Sequence, residues 1–126
     1  MYRVLVVEDE WLIADDSAAT LRRAGHQVVG PAPSVKAALE CLSRHEINAA
    51  LLDVQLFDET SFRIADQLQD RNIPFAFVTG CDDSKLPVRY AKVPVLQKPV
   101  LPHSLLEMIA QLASKIRGSF GQDPAG

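Results

Sequence analysis

Apolar positions along the chain follow two rhythms. Short unbroken apolar runs at residues 4–7, 49–52, 75–78 and 93–96 have the length expected of strands buried on both faces, and a weaker fifth covers 26–30. Between them the spacing becomes helical. Ile13, Ala14, Ala18 and Leu21 form the inward stripe of a first helix over 10–24. Val35, Ala38, Leu39 and Leu42 do the same in a second, and Leu105, Ile109, Leu112 and Ile116 in a last one over 102–117. Gly25 stands where a C-terminal cap is expected, Ser34 is placed to cap the second helix, a third helix begins near Ser61, and Pro102 occupies a tolerated first-turn position. Residues 82–92 contain Pro87 and little amphipathic pattern, so the fourth helix is expected to be shortened to one or two turns or an ordered loop.

Strand and helix alternating five times predict an α/β doubly wound fold: a five-stranded parallel sheet with helices on both faces, in the flavodoxin-like order 2-1-3-4-5. Residues 1–118 are expected to form one domain and 119–126 a flexible C-terminal tail, with no output domain.

The totals narrow the possible functions. A hydrophobic fraction of 48% without any bilayer-length apolar stretch excludes a membrane span, and the opening residues are too short and too acidic for a secretory leader, so a cytoplasmic location is expected. Cys41 and Cys81 lie far apart and outside any zinc-like spacing, which reads them as free thiols. A net charge of −3 argues against direct nucleic-acid binding.

In a sheet of this order, ligands bind beyond the carboxyl ends of the strands. Glu8 and Asp9 follow the first strand, Asp53 the third, Thr79 the fourth and Lys98 the fifth, while the second, at the edge, ends in Gly30 and Pro31. Three converging carboxylates repel by on the order of 4 kcal/mol per close pair at an effective dielectric of about 20, which calls for a cation or a proton. All-oxygen donors suit Mg²⁺, with a backbone carbonyl available to complete the shell. Asp53 could then act as nucleophile toward phosphorus, with Lys98 as a second positive centre and the Thr79 hydroxyl donating to a phosphoryl oxygen.

With these residues placed, the chain resembles the response regulator receiver family from Tyr2 to Ile116. The motifs are Val6-Val7-Glu8-Asp9-Glu10, Leu51-Leu52-Asp53, Val78-Thr79-Gly80 and Gln97-Lys98-Pro99. The resemblance implies that Glu8 and Asp9 are the acidic pair, Asp53 the phosphoacceptor, Thr79 the switch hydroxyl and Lys98 the conserved lysine. It also implies that Gln55 lends its backbone carbonyl to the metal, that Gly80 is the small residue beside the site, and that the peptide before Pro99 is cis. A sensor histidine kinase is the implied partner, with output by protein contact or by relay to a histidine phosphotransfer protein. The resemblance then implies a phosphoacceptor switch and not an enzyme in the ordinary sense, one able to catalyse its own phosphorylation and dephosphorylation. Two features depart from the common pattern: Val95 stands where many receivers carry an inward-rotating Tyr or Phe, and the fourth helix is short. Both, with Pro74-Phe75-Ala76-Phe77-Val78-Thr79-Gly80, resemble a receiver subgroup with a Pro-Phe-x-Phe-x-Thr-Gly-Tyr signature, although Cys81 replaces its Tyr.

Blander assignments cover the remaining candidates. Trp11 is read as a partly exposed rim aromatic, Phe57, Asp58 and Glu59 as a solvated loop, and Cys81 as a packing thiol, while His26, His45 and His103 receive no role. The competing reading is a phosphorylation-independent receiver-like interaction module. A flavin mononucleotide carrier fails because Glu8, Asp9 and Glu10 fill the loop where a phosphate would sit. An aspartyl-nucleophile phosphatase fails because Gln55, not an acid, lies two residues after Asp53.

Overall fold

In the computed structural model, which describes residues 1–80 and 86–120, each unbroken apolar run becomes a strand. The elements are β1 (Arg3–Val7), α1 (Trp11–Arg23), β2 (Gln27–Ala32), α2 (Val35–Arg44), β3 (Ala49–Asp53), α3 (Phe62–Asp70), β4 (Phe75–Thr79), a 3-10 turn (Val88–Tyr90), β5 (Val95–Gln97) and α4 (Pro102–Phe120). All strand pairs are parallel, in the order β2-β1-β3-β4-β5. Alternate residues of each central strand enter different cores. Leu5, Val7, Ala50, Leu52, Phe75 and Phe77 pack with Val35, Ala38, Ile64 and Leu68 of α2 and α3. Val4, Val6, Ala49, Leu51, Ala76 and Val78 pack with Leu21, Leu105, Ile109 and Leu112 of α1 and α4. This two-sided burial is why the strands read as continuous apolar runs.

Caps fall where the turn chemistry places them. Gly25 ends α1 at φ +93°, and the Ser34 Oγ accepts the Ala37 N–H at 3.2 Å. Other boundaries moved. β2 does not stop at Gly30: it runs on through a cis Gly30–Pro31 peptide to Ala32, with a register shift opposite Leu5 and Val7. An edge strand tolerates a proline because one side of its backbone has no ladder partner. Gly30, at φ +94°, comes so close to Ala32 that a Cβ would lie 2.6 Å from the Ala32 nitrogen. β5 begins at Val95, not at 93, since the Val93 N–H closes the preceding turn on the Tyr90 carbonyl. α4 continues to Phe120, past the expected end at Arg117 and into the first residues of the expected tail. The expectation for Cys81, and those for 82–85 and 121–126, lie outside the described residues. No helix among the described residues is long and apolar enough to cross a membrane.

Strand register positions the site. Val7 pairs with Leu52, Asp53 with Val78, and Thr79 with Gln97. The residues that come next, Glu8 beside Asp53 and Lys98 beyond Thr79, are therefore carried to one edge of the sheet.

Candidate functional site

At that edge Glu8, Asp53 and Thr79 are all buried, and Asp9 is half-buried. One carboxylate oxygen each from Glu8, Asp9 and Asp53 lies within 4.8 Å of the others, an arrangement able to hold a cation. The Lys98 ammonium sits among the acids, 3.1 Å from Glu8 Oε1, 3.3 Å from Asp53 Oδ2 and 3.6 Å from Glu10 Oε1. Backbone bonds fix the parts: Glu8 N–H donates to the Ala32 carbonyl at 3.0 Å, Val54 N–H to Val78 at 2.9 Å, and Lys98 N–H to Thr79 at 2.9 Å. The extension of β2 thus steadies Glu8, a role the sequence reading did not give to the edge strand. The Lys98–Pro99 peptide is cis.

One ammonium does not neutralise this many acids. Burial, then the charge of Glu8 and a hydrogen bond with it, push the Asp53 carboxyl up to about 7, against the opposing pull of Lys98. Burial alone would lower Lys98, but its hydrogen bonds and charge interactions with Glu8 and Asp53 outweigh that, and its ammonium is held above the ordinary value. A cation held between these oxygens would oppose that rise by favouring the ionised carboxylate.

The Gln55 side-chain amide is engaged within its own loop, donating to the Leu56 carbonyl at 2.8 Å and the Glu59 carbonyl at 3.0 Å. At Gly80 an added Cβ would come no closer than 3.8 Å to the Lys98 side chain, an ordinary contact. Trp11 is 73% exposed, more open than a half-covered rim residue, and Phe57 is 90% exposed.

The structure corrects the solvated-loop reading at Glu59. Its Oε2 accepts the N–H of Val35, the first residue of α2, at 3.1 Å. Two other residues have contacts that the sequence reading did not give them. Glu10 supplies the third contact to Lys98, and its own N–H donates to Glu8 Oε2 at 3.1 Å; an acid two residues beyond Glu8 was the available signal. Tyr90 lies in the segment read as pattern-poor, yet it is fully buried against Phe62, Phe75 and Phe77, with Val95 packed on the same cluster. Its hydroxyl donates to Asp66, which also holds Arg89 through Nε at 2.9 Å.

A profile of the response regulator receiver domain matches residues 4–110. The sensory transduction protein RegX3 of Mycolicibacterium smegmatis is 33% identical over 129 residues, covering 100% of this chain and 55% of that protein. The chain spans between 32% and 55% of the length of the curated relatives it matches. Among solved structures it is similar to SdrG from Sphingomonas melonis, with a TM-score of 0.79 and 37% identity over 90% of this chain and 97% of that one. It is also similar to a CheY-like receiver domain protein from Methanospirillum hungatei, with a TM-score of 0.83 and 25% identity over 94% and 98%.

Proposed function

The chain belongs to the response regulator receiver domain family of two-component signalling, and from that premise we propose that it accepts a phosphoryl group on Asp53 from a sensor histidine kinase. The observation that carries the proposal is the meeting of three carboxylate oxygens within 4.8 Å with the Lys98 ammonium 3.3 Å from Asp53. Glu8, Asp9, Asp53 and the Gln55 peptide carbonyl would hold Mg²⁺, which would supply the charge neutralisation that a transferring phosphoryl group needs. Asp53 then attacks phosphorus with a carboxylate oxygen as the phosphorus–nitrogen bond of a phosphohistidine breaks; the electron pair leaves on the imidazole nitrogen, which takes up a proton. Lys98 exchanges part of its contact with Asp53 for a phosphoryl oxygen, and the Thr79 hydroxyl donates to another. Support comes from the Lys98 ammonium at 3.3 Å from Asp53 Oδ2 and from the register, in which Thr79 directly follows Val78, the partner of Asp53.

Output would pass by protein contact or by relay to a histidine phosphotransfer protein. The departures at Val95 and in the β4–β5 connection, together with Pro74 to Gly80, favour the receiver subgroup with the Pro-Phe-x-Phe-x-Thr-Gly-Tyr signature. Intact-mass measurement after incubation with acetyl phosphate tests the central step: one added phosphoryl group is expected with Mg²⁺, none without it and none in Asp53→Asn. Labelling that persists in Asp53→Asn would overturn the assignment. The second reading, docking without phosphorylation, is favoured by Val95, which stands where many receivers carry the inward-rotating aromatic. Partner affinity unchanged by a beryllofluoride phosphoryl mimic would select it.

A further inference from the structure

We propose that Glu59 is a positioning residue, which fastens the loop after Asp53 to α2 and thereby holds the Gln55 peptide in one place beside the acids. This role presupposes the metal-assisted transfer proposed above.

The loop is built around Gln55. An antiparallel bridge joins Gln55 to Thr60, and its two hydrogen bonds come from the neighbours: Leu56 N–H to the Glu59 carbonyl at 2.8 Å, and Ser61 N–H to the Val54 carbonyl at 3.1 Å. In this arrangement the bridged pair keeps its own peptide groups out of the ladder, so the Gln55 carbonyl stays available to a ligand. The Gln55 side chain tightens the same turn through its two amide bonds, and Leu56 anchors it in the core at 1% exposure. The turn still needs a fixed point on the neighbouring layer. Glu59 provides it by accepting the Val35 N–H, a contact made across 24 residues of sequence.

Helix α2 does not need that bond merely to begin. Ser34 already caps it locally, and four orphan N–H groups at a helix start can also be met by water. A carboxylate brought from a distant loop satisfies one more of them and meets the favourable end of the helix dipole, but its specific effect is to tie two elements together. The residue so tied lies four positions beyond Gln55, within the same closed turn. Loss of the tie would let the turn move as a unit about Leu56, and a ligand carbonyl that must be gathered from a wider range of positions binds more weakly.

The test compares two ways of damaging the same helix start. Mg²⁺ titrations followed by the emission of the sole tryptophan, Trp11, which adjoins Glu10 in sequence, and checked by calorimetry, would be run on the intact chain, Glu59→Ala, Glu59→Gln and Ser34→Ala. Both alanine variants remove one cap from α2 and should lower the melting temperature alike. Only Glu59→Ala should weaken Mg²⁺, by about tenfold, the lower end of what supporting contacts of a metal site are worth. Glu59→Gln keeps an acceptor at the same reach and should stay within about threefold of the parent chain. Equal Mg²⁺ affinity in Glu59→Ala and the parent, or an equal loss in Ser34→Ala, would reduce Glu59 to an ordinary helix cap and overturn the proposal. No Mg²⁺ response in the parent chain by either method would instead sink the functional reading, and this role with it.

Discussion

Two clusters in this molecule bring a carboxylate together with a cation, and they put the pair to opposite uses. Beside α3, Asp66 meets Arg89 and the Tyr90 hydroxyl on a half-open surface, and these hydrogen bonds hold its carboxyl below the usual carboxylate range. Burial and the Asp66 bond push the Tyr90 phenol up to about 12, so it stays a donor at any physiological pH. At the strand ends, Asp53 meets Lys98 as well, yet burial and the neighbouring Glu8 raise it to about 7. The difference is not in the residue types. One acid has a cation largely to itself in water-screened surroundings; the other shares one with Glu8 and Glu10 out of water. The first arrangement fastens the 3-10 turn to α3, and the second gathers acidic oxygens whose charge a cation would offset.

The largest expected effect falls on the fastening. Tyr90→Ala removes a fully buried ring from among Phe62, Phe75 and Phe77 and should cost about 3–5 kcal/mol in urea unfolding, while the chain that remains folded still binds Mg²⁺. Loss of metal binding in the folded fraction would erase the separation drawn between the two clusters.

Next in size is a gain at the other cluster. A carboxyl protonated up to about pH 7 when folded, against an ordinary value of 3.8, means that the folded chain binds more protons between those pH values. Metal-free stability should therefore fall as pH rises from about 4 to about 7 and remain low above that. Asp53→Asn abolishes this cost. The variant should be more stable than the parent by about 1–3 kcal/mol at pH 8, with the difference vanishing near pH 4, in thermal melts without metal.

Protons and metal compete for the same oxygens. Mg²⁺ affinity should hold steady above about pH 7 and drop by up to about tenfold per pH unit below it, as read by calorimetry across pH 5.5 to 8. A flat profile would show that the site binds without needing Asp53 ionised. The smallest effect belongs to Arg89→Ala: a slight fall in melting temperature that disappears in high salt, with phosphoryl uptake unchanged, as expected for an exposed pair.

How legible each part was in the sequence follows from the range of the interactions that fix it. Strands buried on both faces announce themselves locally, and Glu8, Asp9, Asp53, Thr79 and Lys98 could be found because each stands at or directly beyond the end of such a run. β2 was cut short because Pro31 reads as a stop, a rule that fails at a sheet edge where no N–H is missed. Tyr90 carried no periodic signal, since its burial is decided by three phenylalanines from α3 and β4. Glu59 looked like any loop acid; its partner is 24 residues away, and nothing in the intervening spacing points to it. Local pattern found the parts that sit at element ends and missed those defined by a contact between layers.

The register that sets Asp53 beside Val78 and Thr79 beside Gln97 has a further consequence. Glu8 follows β1 and Lys98 follows β5, the outermost strands of this sheet along the sequence, so no fragment that lacks β5 carries the complete charge arrangement. During synthesis that arrangement stays incomplete until β5 docks. A single-position slip of any central strand would turn its buried side chains to the wrong face and misplace the acid at its end. The complete charge arrangement is thus a certificate that the whole sheet has been assembled correctly.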